Sequence, residues 1–474
     1  MAVGPTATVA SEGIDEGTAA ANSGQTREWP SSGAAYWGLT VIILATFLSF
    51  FDQVTFGMLA ERIKHDFGLT DSQLGFLAGP ATIICYVFVG IPLARLADIY
   101  PRKFVLSAGV AVTGAIMALG GIAQNFVQFV GSRVFLAAGG SAHAPSSYSL
   151  LADAFPPRKL TRAFALLQFG FIGGTTLGPM IGGRLVLMTK DWEPSQLAGL
   201  TILGWQWILI WLAIPSFVVA LLFLTVREPK RLMPATGADT LQPPSDASPL
   251  RRVVTFMGWD AVRAIMARKH VYLPLFGALA LSAVDSFGLQ FWRTPFMVRT
   301  YGWNEKEVGD ALGLIGLVAS LSGLVLGGAM VEFLARKHKD ANVRAATICF
   351  AVVSTCAIIA PTMPNGWAAL IVMGVGLMFG IAGAVPQNAA IQRIAPNAMR
   401  GQVTAIYLFM FTFFGAAGSY VVGLVQDYVV GSDALLWKSL VITAVALLPL
   451  ATFLMYSAMK PYRQEVARLE AAGQ

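Results

Sequence analysis

The sequence predicts an all-α membrane protein whose twelve transmembrane helices form two pseudo-symmetric six-helix bundles. The first reason is composition: the chain is 55% hydrophobic and 12% charged, whereas a soluble domain carries about 25% charged residues. The second is length, because 474 residues accommodate roughly twelve spans of about 20–25 residues joined by short turns. The third is a charged signature that occurs twice, about half the chain apart, which indicates two similar halves.

Both copies of this signature lie where an apolar run ends. A small residue closes the run, an acid follows four residues later, and a basic pair follows four residues after the acid. An acid and a base at this spacing near a helix end are suited to ion pairing. The two copies consist of Ala94, Asp98, Arg102 and Lys103, and of Gly328, Glu332, Arg336 and Lys337.

Apolar runs and composition divide the chain into five expected regions. These are a disordered tail rich in Ala, Gly, Ser and Thr (1–30), a first bundle (31–226), a linker (227–271), a second bundle (272–460) and a second tail (461–474). The expected spans are 36–60, 72–97, 103–123, 126–154, 162–188, 204–226, 272–298, 308–334, 344–361, 366–394, 402–430 and 435–459.

The basic residues predict that both termini face the cytoplasm, since Lys and Arg concentrate in cytoplasmic turns. One set of turns carries bases such as Arg158, Lys159 and Arg162, whereas Arg62 and Lys64 on the other side lie among acids. The expected location is a plasma membrane, the inner membrane of a bacterium. In the linker, apolar and basic residues alternate at helical spacing from Ser248 onward, which predicts an amphipathic helix on the inner leaflet. This helix is either a brace between the halves or a connector that only hides its apolar face in lipid.

The repeated signature and several longer strings resemble the major facilitator superfamily. The first copy is similar to the cytoplasmic loop between spans two and three of that family, and the resemblance covers nearly the whole chain. A narrower likeness is to spinster-like lipid transporters and their bacterial relatives. It rests on residues 51–53 (FDQ), 63–75 (IKHDFGLTDSQLG), 90–98 (GIPLARLAD), 227–229 (REP) and 396–401 (PNAMRG).

Two positions depart from the pattern of this subgroup. The subgroup has Asp-Arg in span one, where this chain has Asp52-Gln53. It also has a Glu in span four, seven residues after an Arg, where this chain has Gly140 after Arg133. Part of the family's charged cluster is therefore missing, and its coupling mechanism does not carry over automatically.

Asp52 is the first candidate for proton coupling. It lies about nine residues, or roughly 13 Å, inside the expected outer end of span one. Arg133 lies at a similar depth in span four, and the resemblance implies that spans one and four border the same cavity. Because intramembrane acids mark transport pathways, we expect Asp52 to bind and release a proton as the cavity alternates, with Arg133 as its switchable ion-pair partner. A permanent structural ion pair is the alternative. Asp285 is the second candidate for proton coupling. Arg293 follows eight residues later and lies on roughly the same face of the helix.

Polar residues inside the spans are the expected substrate contacts. His143 is suited to titration near neutral pH, although a hydrogen-bonded packing role is the alternative for a single His in a span. The candidates are His143, Tyr148, Gln168, Gln290, Trp292, Arg293, Gln387, Asn388 and Tyr407.

Two further groups of residues are expected to act in conformational change. A cytoplasmic latch should form when the inner ends of the two halves approach; plain positive-inside charge with solvated acids is the alternative. Its members are Asp98, Arg102, Lys103, Asp153, Arg162, Glu332 and Arg336. Span five resembles the antiporter motif of exporters in the superfamily, and glycines four apart allow close helix contact. Its members are Gly174, Gly178, Pro179, Gly182 and Gly183.

These observations predict a secondary active transporter that works by alternating access, uses a proton gradient and exports an amphipathic or lipid-like small molecule. An enzyme is not expected, because no nucleotide-binding glycine loop and no metal-ligand cluster occurs, and no cofactor is expected. One alternative is a proton-coupled symporter importing an organic anion, such as an aromatic one, held by Arg133, Arg184 and Arg293. Another is a non-transporting receptor. The expected partners are the substrate, protons and the bilayer, without nucleic acid, and the chain is expected to be a monomer.

Overall fold

The computed structural model describes residues 29–83, 100–141, 143–197, 199–229, 259–395 and 400–471. Asp98 and Cys85, the first 28 residues and residues 230–258 of the expected linker therefore lie outside the described residues. Within the described ranges, ten helices are long and apolar enough to cross a membrane. Of the two other expected spans, the second is described only at its start, and the fourth consists of two helices on either side of residue 142.

The described helices follow the expected order of spans. The first half contains α1 (Ser32–Phe67), α2 (Asp71–Ala78), α3 (Arg102–Gly121), α4 (Phe126–Ser141), α5 (His143–Ala154), α6 (Pro157–Met188) and α7 (Gly204–Thr225). The second half contains α8 (Trp259–Ala267), α9 (Lys269–Tyr301), α10 (Glu305–Ala335), α11 (Ala341–Ile359), α12 (Gly366–Ile394), α13 (Arg400–Val425) and α14 (Leu436–Ala471). Short 3₁₀ turns occur at Ala360–Thr362 and Asp433–Leu435, and a π-helical turn at Gln426–Val430.

A β-hairpin between α6 and α7 was not expected from the sequence. Strand β1 (Ser195–Leu197) pairs antiparallel with β2 (Leu200–Ile202). The connection uses Gly199 at φ +82°, a backbone conformation that glycine adopts without steric cost. The side chain of Gln124 secures the hairpin, since its Nε2 donates to the carbonyl of Thr201 at 3.0 Å and its Oε1 accepts from the Thr201 amide at 3.1 Å. We call this side of the molecule the hairpin end and the side that carries Arg102 the basic end.

The same pairs of spans pack in each half. Helix α1 packs along α6 as α9 packs along α13, and α3 packs along α7 as α11 packs along α14. Between the halves, α6 faces α10 and α2 faces α13. These two cross-half pairs are related by the same pseudo-two-fold operation, as expected for a transporter fold built from repeats.

Two turns at the hairpin end share one local construction. The helices α1 and α9 both end at a glycine in the left-handed conformation, Gly68 at φ +61° and Gly302 at φ +68°. Two residues later, a capping box starts the next helix and satisfies its first amide donors. The boxes are formed by Thr70 with Gln73 and by Asn304 with Glu307.

Buried apolar side chains form three clusters, and only one of them joins the halves. The shared cluster lies toward the hairpin end, where the rings of Phe56 and Phe291 are 5.7 Å apart. The second cluster belongs to the first half and includes Leu39. The third belongs to the second half and includes Tyr272. In the described part of the chain, the two halves therefore share a core at the hairpin end and have separate cores toward the basic end.

The described part of the linker helix is attached to the second half. In α8, Ile265 is buried in the same cluster as Tyr272. Directly after α8, Nε of Arg268 forms an ion pair with Oε1 of Glu465 at 2.8 Å. This end of the linker therefore packs against the second half of the protein.

At the basic end of the first half, Arg102 joins three elements. Its Nη1 donates to Oδ2 of Asp153 at 2.5 Å, while Glu228 accepts from the backbone amides of Arg102 at 2.6 Å and of Lys103 at 3.2 Å. All of these contacts lie within one half. Contrary to expectation, their formation does not require the two basic ends to approach. Arg162 is exposed and forms no ion pair with the described residues.

At the basic end of the second half, the charges are arranged differently. Glu332 and Arg336 are 3.8 Å apart, and both side chains are more than 70% exposed. The buried acid is instead Asp340, which accepts from Arg344 at 2.8 Å and from Arg463 at 3.0 Å. Although burial opposes its ionisation, these two guanidinium groups hold the pKa of Asp340 below its ordinary value. The second copy of the signature is therefore solvated, and Asp340 ties α11 to α14.

Replacing Asp340 with Asn should lower the free energy of unfolding at pH 7 by about 1–3 kcal/mol, because hydrogen bonds to a charged group are lost. A carboxylate whose folded-state pKa is lowered stabilises the fold above its unfolded pKa of about 3.9, and this contribution is lost as pH falls through the folded-state pKa. Thermal unfolding in detergent should therefore separate Asp340→Asn from wild type at pH 7, and the separation should shrink as the pH falls below about 4.

The matched control is Glu332→Gln, because an exposed ion pair contributes only about 0–1 kcal/mol. Equal losses of stability for Asp340→Asn and Glu332→Gln would show that the two acids are equivalent and would contradict this account.

Candidate functional site

A cavity of about 320 Å³ lies between the halves, next to the shared core. Its walls come from α1 to α5 and α7 in the first half and from α9 and α13 in the second. This volume lies at the lower end of the range of about 300–1,000 Å³ that is typical of ligand pockets. Among the described lining residues, the charged side chains are Asp52 and Arg133, and His143 is a third titratable group.

Asp52 and Arg133 form an ion pair on the cavity wall. Nη1 of Arg133 lies 3.6 Å from Oδ2 of Asp52, and the two residues are only 5–7% exposed. The guanidinium carbon lies 4.1 Å from the ring centre of Phe56 and 5.3 Å from that of Phe129. The pair is longer than the roughly 2.7–2.9 Å of a charge-assisted hydrogen bond. The other carboxylate oxygen, Oδ1, has no hydrogen-bond partner among the described residues.

The contact of His143 with α1 determines which ring nitrogen carries the proton when the imidazole is neutral. The Thr46 hydroxyl donates its proton to the carbonyl of Ile42 at 2.8 Å, and its oxygen lies 3.1 Å from Nε2 of His143. Because a hydroxyl has one proton to give, Nε2 must be the donor in this contact. The neutral ring then carries its lone pair on Nδ1, which has no partner among the described residues. His143 therefore lies on the cavity wall with a buried acceptor nitrogen that has no partner among the described residues.

The antiporter-like motif positions the helix that carries Asp52. A Cβ atom on Gly174 would lie 2.7 Å from Cβ of Phe50, and one on Gly178 would lie 3.3 Å from the ring of Phe51. A Cβ on Gly182 would lie 3.2 Å from the hydroxyl of Thr55. The glycines spaced by four thus bring α6 against α1.

The same motif also faces the other half of the molecule. A Cβ atom on Gly183 would overlap the carbonyl of Glu305, and one on Gly309 would overlap the carbonyl of Pro179. The backbones of α6 and α10 are therefore in direct contact toward the hairpin end. This contact requires glycine on both sides, which the sequence alone did not indicate.

The structure brings only some of the predicted residues to the cavity. Gln290 lines it together with Asp52, Arg133 and His143. Asp285 is buried, but neither it nor Arg293 forms an ion pair with a described residue, and neither lines the cavity. The other candidates do not line the cavity. Trp292 donates to the carbonyl of Ser419, and Asn388 donates to the carbonyl of Ala384. Tyr148 and Gln168 are exposed, whereas Gln387 and Tyr407 are buried.

Sequence reasoning missed several residues of the cavity wall. Gln53, Ser49 and Thr113 add polar groups, and Phe287 and Phe291 add aromatic rings from α9. Gln53 had a local signal, because it stands beside Asp52 where the spinster-like subgroup has Arg. The phenylalanines had none, since they look like any other apolar residues of a span.

The hairpin end holds a cross-half ion network that we call the hairpin-end lock. Arg299 of the second half donates to Glu61 at 2.8 Å and to both oxygens of Asp71 at 2.8 Å. Lys64 bridges Asp71 at 2.9 Å and Asp433 at 2.8 Å. Asp71 is 1% exposed, so its charge depends on these partners. The lock consists of these five residues.

A second acid of the second half completes the contact. Asp427 accepts from the amides of Asp71 at 3.1 Å and of Ser72 at 2.7 Å, which are the first donors of α2. A negative charge is stabilised at this position by the helix dipole. The π-helical turn at Gln426–Val430 carries Asp427, and such turns often occur at functional sites. The sequence placed bases among acids at this end but did not indicate that they join the halves.

Comparison with known proteins gives a consistent assignment. Residues 42–419 match the model of the Major Facilitator Superfamily. An MFS-type efflux pump of Mycolicibacterium smegmatis is 24% identical over 446 residues, which cover 94% of this chain and 95% of the pump. Protein spinster homolog 1 of Homo sapiens is 24% identical over 321 residues, which cover 65% of this chain and 56% of that protein. The chain thus spans about half the length of this relative.

A solved structure shows the same fold. The crystal structure of a bacterial homolog to the human lysosomal transporter Spinster, inward-facing and unoccupied, matches with a TM-score of 0.74 at 21% identity and covers 92% of this chain and 99% of its own. The resemblance to the spinster-like subgroup is confirmed by these similarities. The chain belongs to the Major Facilitator Superfamily, and it is a membrane transporter rather than an enzyme.

Proposed function

We propose that this chain is a secondary active transporter that works by alternating access, and that the structure is its conformation open to the cytoplasm. The observation that carries this proposal is the distribution of contacts between the halves. The hairpin-end lock and the shared core lie at one end, while each half has a separate core toward the basic end in the described part of the chain. The excess of Lys and Arg at the basic end supports a cytoplasmic position for this end.

Labelling of single cysteines tests this orientation in a background without the three native cysteines. Lys306→Cys lies in the exposed start of α10 at the hairpin end, and Lys337→Cys lies in an exposed turn at the basic end. A membrane-impermeant maleimide should label only Lys306→Cys in intact cells, and both sites after permeabilisation. Labelling of Lys337→Cys alone in intact cells would reverse the orientation.

The coupled ion of this proposal is a proton carried by Asp52. The support is a buried carboxylate on the wall of the central cavity, held loosely by Arg133 and with one oxygen unpartnered. Intramembrane acids in such positions commonly belong to ion pathways. Protonation would release Arg133 from the pair, which is the change that alternation between two states requires.

Asp52→Asn should therefore nearly abolish flux driven by a pH gradient in proteoliposomes, while exchange of substrate across the membrane persists. The labelled substrate is selected beforehand by a thermal-shift screen of lysolipids, aromatic acids and organic amines. Asp191→Asn, which removes an exposed carboxylate after α6, is the matched control and should transport normally. Uphill transport by Asp52→Asn with an unchanged pH profile would transfer the coupling role to Asp285.

The transported molecule of this proposal is amphipathic, and the direction is export. The cavity combines polar groups with aromatic walls, including Gln290 and Phe287. The anion-importer alternative needs three converging arginines, but Arg184 pairs with Asp310 outside the cavity and Arg293 does not line it. Counterflow under imposed pH gradients distinguishes export from symport, and ligand binding without flux would indicate a receptor.

Arg299→Gln should shift the population away from the observed conformation. The change leaves Asp71 and Glu61 without their shared cation, and breaking a buried ion pair costs about 3–5 kcal/mol. A cysteine at Thr82, on the cavity wall, should then react faster with an impermeant maleimide from the hairpin side, by roughly tenfold for each 1.4 kcal/mol of lost preference.

Arg158→Gln is the control for this experiment, because Arg158 is an exposed base at the other end of the molecule. Identical reaction rates from the hairpin side for Arg299→Gln and Arg158→Gln would show that the lock does not hold this end closed.

A further inference from the structure

We propose that the central cavity binds an uncharged amphipathic molecule, whose carboxamide group is held between the side chains of Gln53 and Gln290. This inference rests on the proposed function only in assigning transport to the cavity. It adds the chemical class of the substrate and the two side chains that select it.

The internal repeat of α1 and α9 is the first argument. Each of these helices ends at a left-handed glycine. Counted back from that glycine, Gln53 of α1 is equivalent to Phe287 of α9, and Phe56 is equivalent to Gln290. All of these side chains line the cavity. Each half therefore supplies a glutamine and a phenylalanine to the cavity wall, in reversed order along the helix.

The reversed order places an amide and an aromatic ring at each of two depths in the cavity. The two positions on each helix are three residues apart, or roughly 4.5 Å along the helix axis. Equivalent positions lie at the same depth, because the two halves are related by a pseudo-two-fold axis along the membrane normal. Gln53 therefore lies at the depth of Phe287, and Gln290 at the depth of Phe56. A planar group bound to either glutamine has a ring of the other half at its own depth.

The two carboxamides are available to a ligand. Gln53 is exposed, Gln290 is half-buried, and neither forms a hydrogen bond with a described residue. In contrast, the buried Gln426 donates to the carbonyl of Ser432 at 2.7 Å and accepts from the hydroxyl of Ser439 at 2.6 Å. A glutamine side chain has both an N–H donor and an oxygen acceptor. The cavity is therefore complementary to a group that also donates and accepts, as a carboxamide does.

The charges of the wall favour an uncharged ligand. Among the described lining residues, the charged side chains are Asp52 and Arg133, and they lie 3.6 Å apart, so each compensates the other. A carboxylate or an ammonium ion would lose its hydration in the cavity without meeting an uncompensated opposite charge, which is costly. Such an ion would also use only the donors or only the acceptors of the two glutamines. A carboxamide avoids both losses.

The rings of the wall favour an aromatic body. Phe56 and Phe291 are 5.7 Å apart at the boundary between the cavity and the shared core. The ring of Phe411 supports Phe287 edge-on at 5.4 Å. A ligand ring can extend this surface through offset or edge contacts. The cavity volume of about 320 Å³ suits a compact body with one polar end.

The test measures binding to the full chain in phosphatidylcholine nanodiscs, with titration into empty nanodiscs subtracted. The probes share one body: 4-phenylbutyramide, methyl 4-phenylbutyrate, 4-phenylbutyrate and 4-phenylbutylamine. The amide donates and accepts, the ester only accepts, and the last two are ionised at pH 7. Wild type should bind the amide more tightly than each of the others, by roughly fivefold or more, because each of them loses at least one hydrogen bond. This comparison needs no variant.

Gln53→Leu and Gln290→Leu each remove one carboxamide and should each weaken binding of the amide about fivefold, the effect of one neutral hydrogen bond. The double variant should bind the amide and the ester equally. A role in structure alone would instead weaken all probes alike and retain the preference for the amide. The matched control is Gln464→Leu, which removes an exposed carboxamide at the basic end and should bind the amide as wild type does.

Two results would overturn the proposal: binding of the ester or of an ionised probe as tight as that of the amide, or an unchanged amide affinity in either single variant. Either result would leave alternating access in place if flux of another substrate still followed a pH gradient. Conversely, amide binding that depends on both glutamines, without any flux, would support this inference and remove the proposed transport function.

Discussion

Arg299 is the cation on which the observed conformation depends. Its side chain is 6% exposed and belongs to the second half, yet its partners Glu61 and Asp71 belong to the first. Buried charges are tolerated only with close partners, because an uncompensated charge costs several kcal/mol. The lock therefore holds the hairpin ends of the two halves together. The shared apolar core forms next to the lock, and the cavity lies on the side of this core that faces away from the lock.

Helix α1 connects the lock with the cavity. It carries Asp52 on the cavity wall, Thr46 against His143, and Glu61 and Lys64 in the lock. Asp52 and Glu61 are about nine residues apart, or roughly 13 Å along one continuous helix. The glycines of α6 allow that helix to pack tightly along α1. A change at the carboxylate and a change at the lock therefore act on the same rigid element.

The internal repeat is retained at one end of the molecule and modified at the other. At the hairpin end, both halves use a left-handed glycine, a capping box and an acid at the start of the next helix. Those acids, Asp71 and Glu305, each meet an arginine of the opposite half, Arg299 at 2.8 Å and Arg62 at 3.5 Å. At the basic end, the two copies of the charged signature differ, since Arg102 is buried in a network and Glu332 is solvated. The repeat thus preserves the charged contacts between the halves at the hairpin end and varies the charged contacts within each half at the basic end.

The sequence by itself determined the membrane class and the two halves, because hydropathy and a repeated spacing are local properties. That Asp52 and Arg133 lie at similar depth was also readable from the sequence, but only the resemblance to the family implied that their spans border one cavity. Only the tertiary structure decided the lock, since Asp71 and Arg299 are 228 positions apart and each also has the pattern of a solvated residue at a helix end. It also separated His143 and Gln290, which line the cavity, from Tyr148 and Tyr407, which do not. A polar residue in an apolar span has the same local pattern whether it faces a cavity, a neighbouring helix or lipid, and only the packing of distant helices distinguishes these environments.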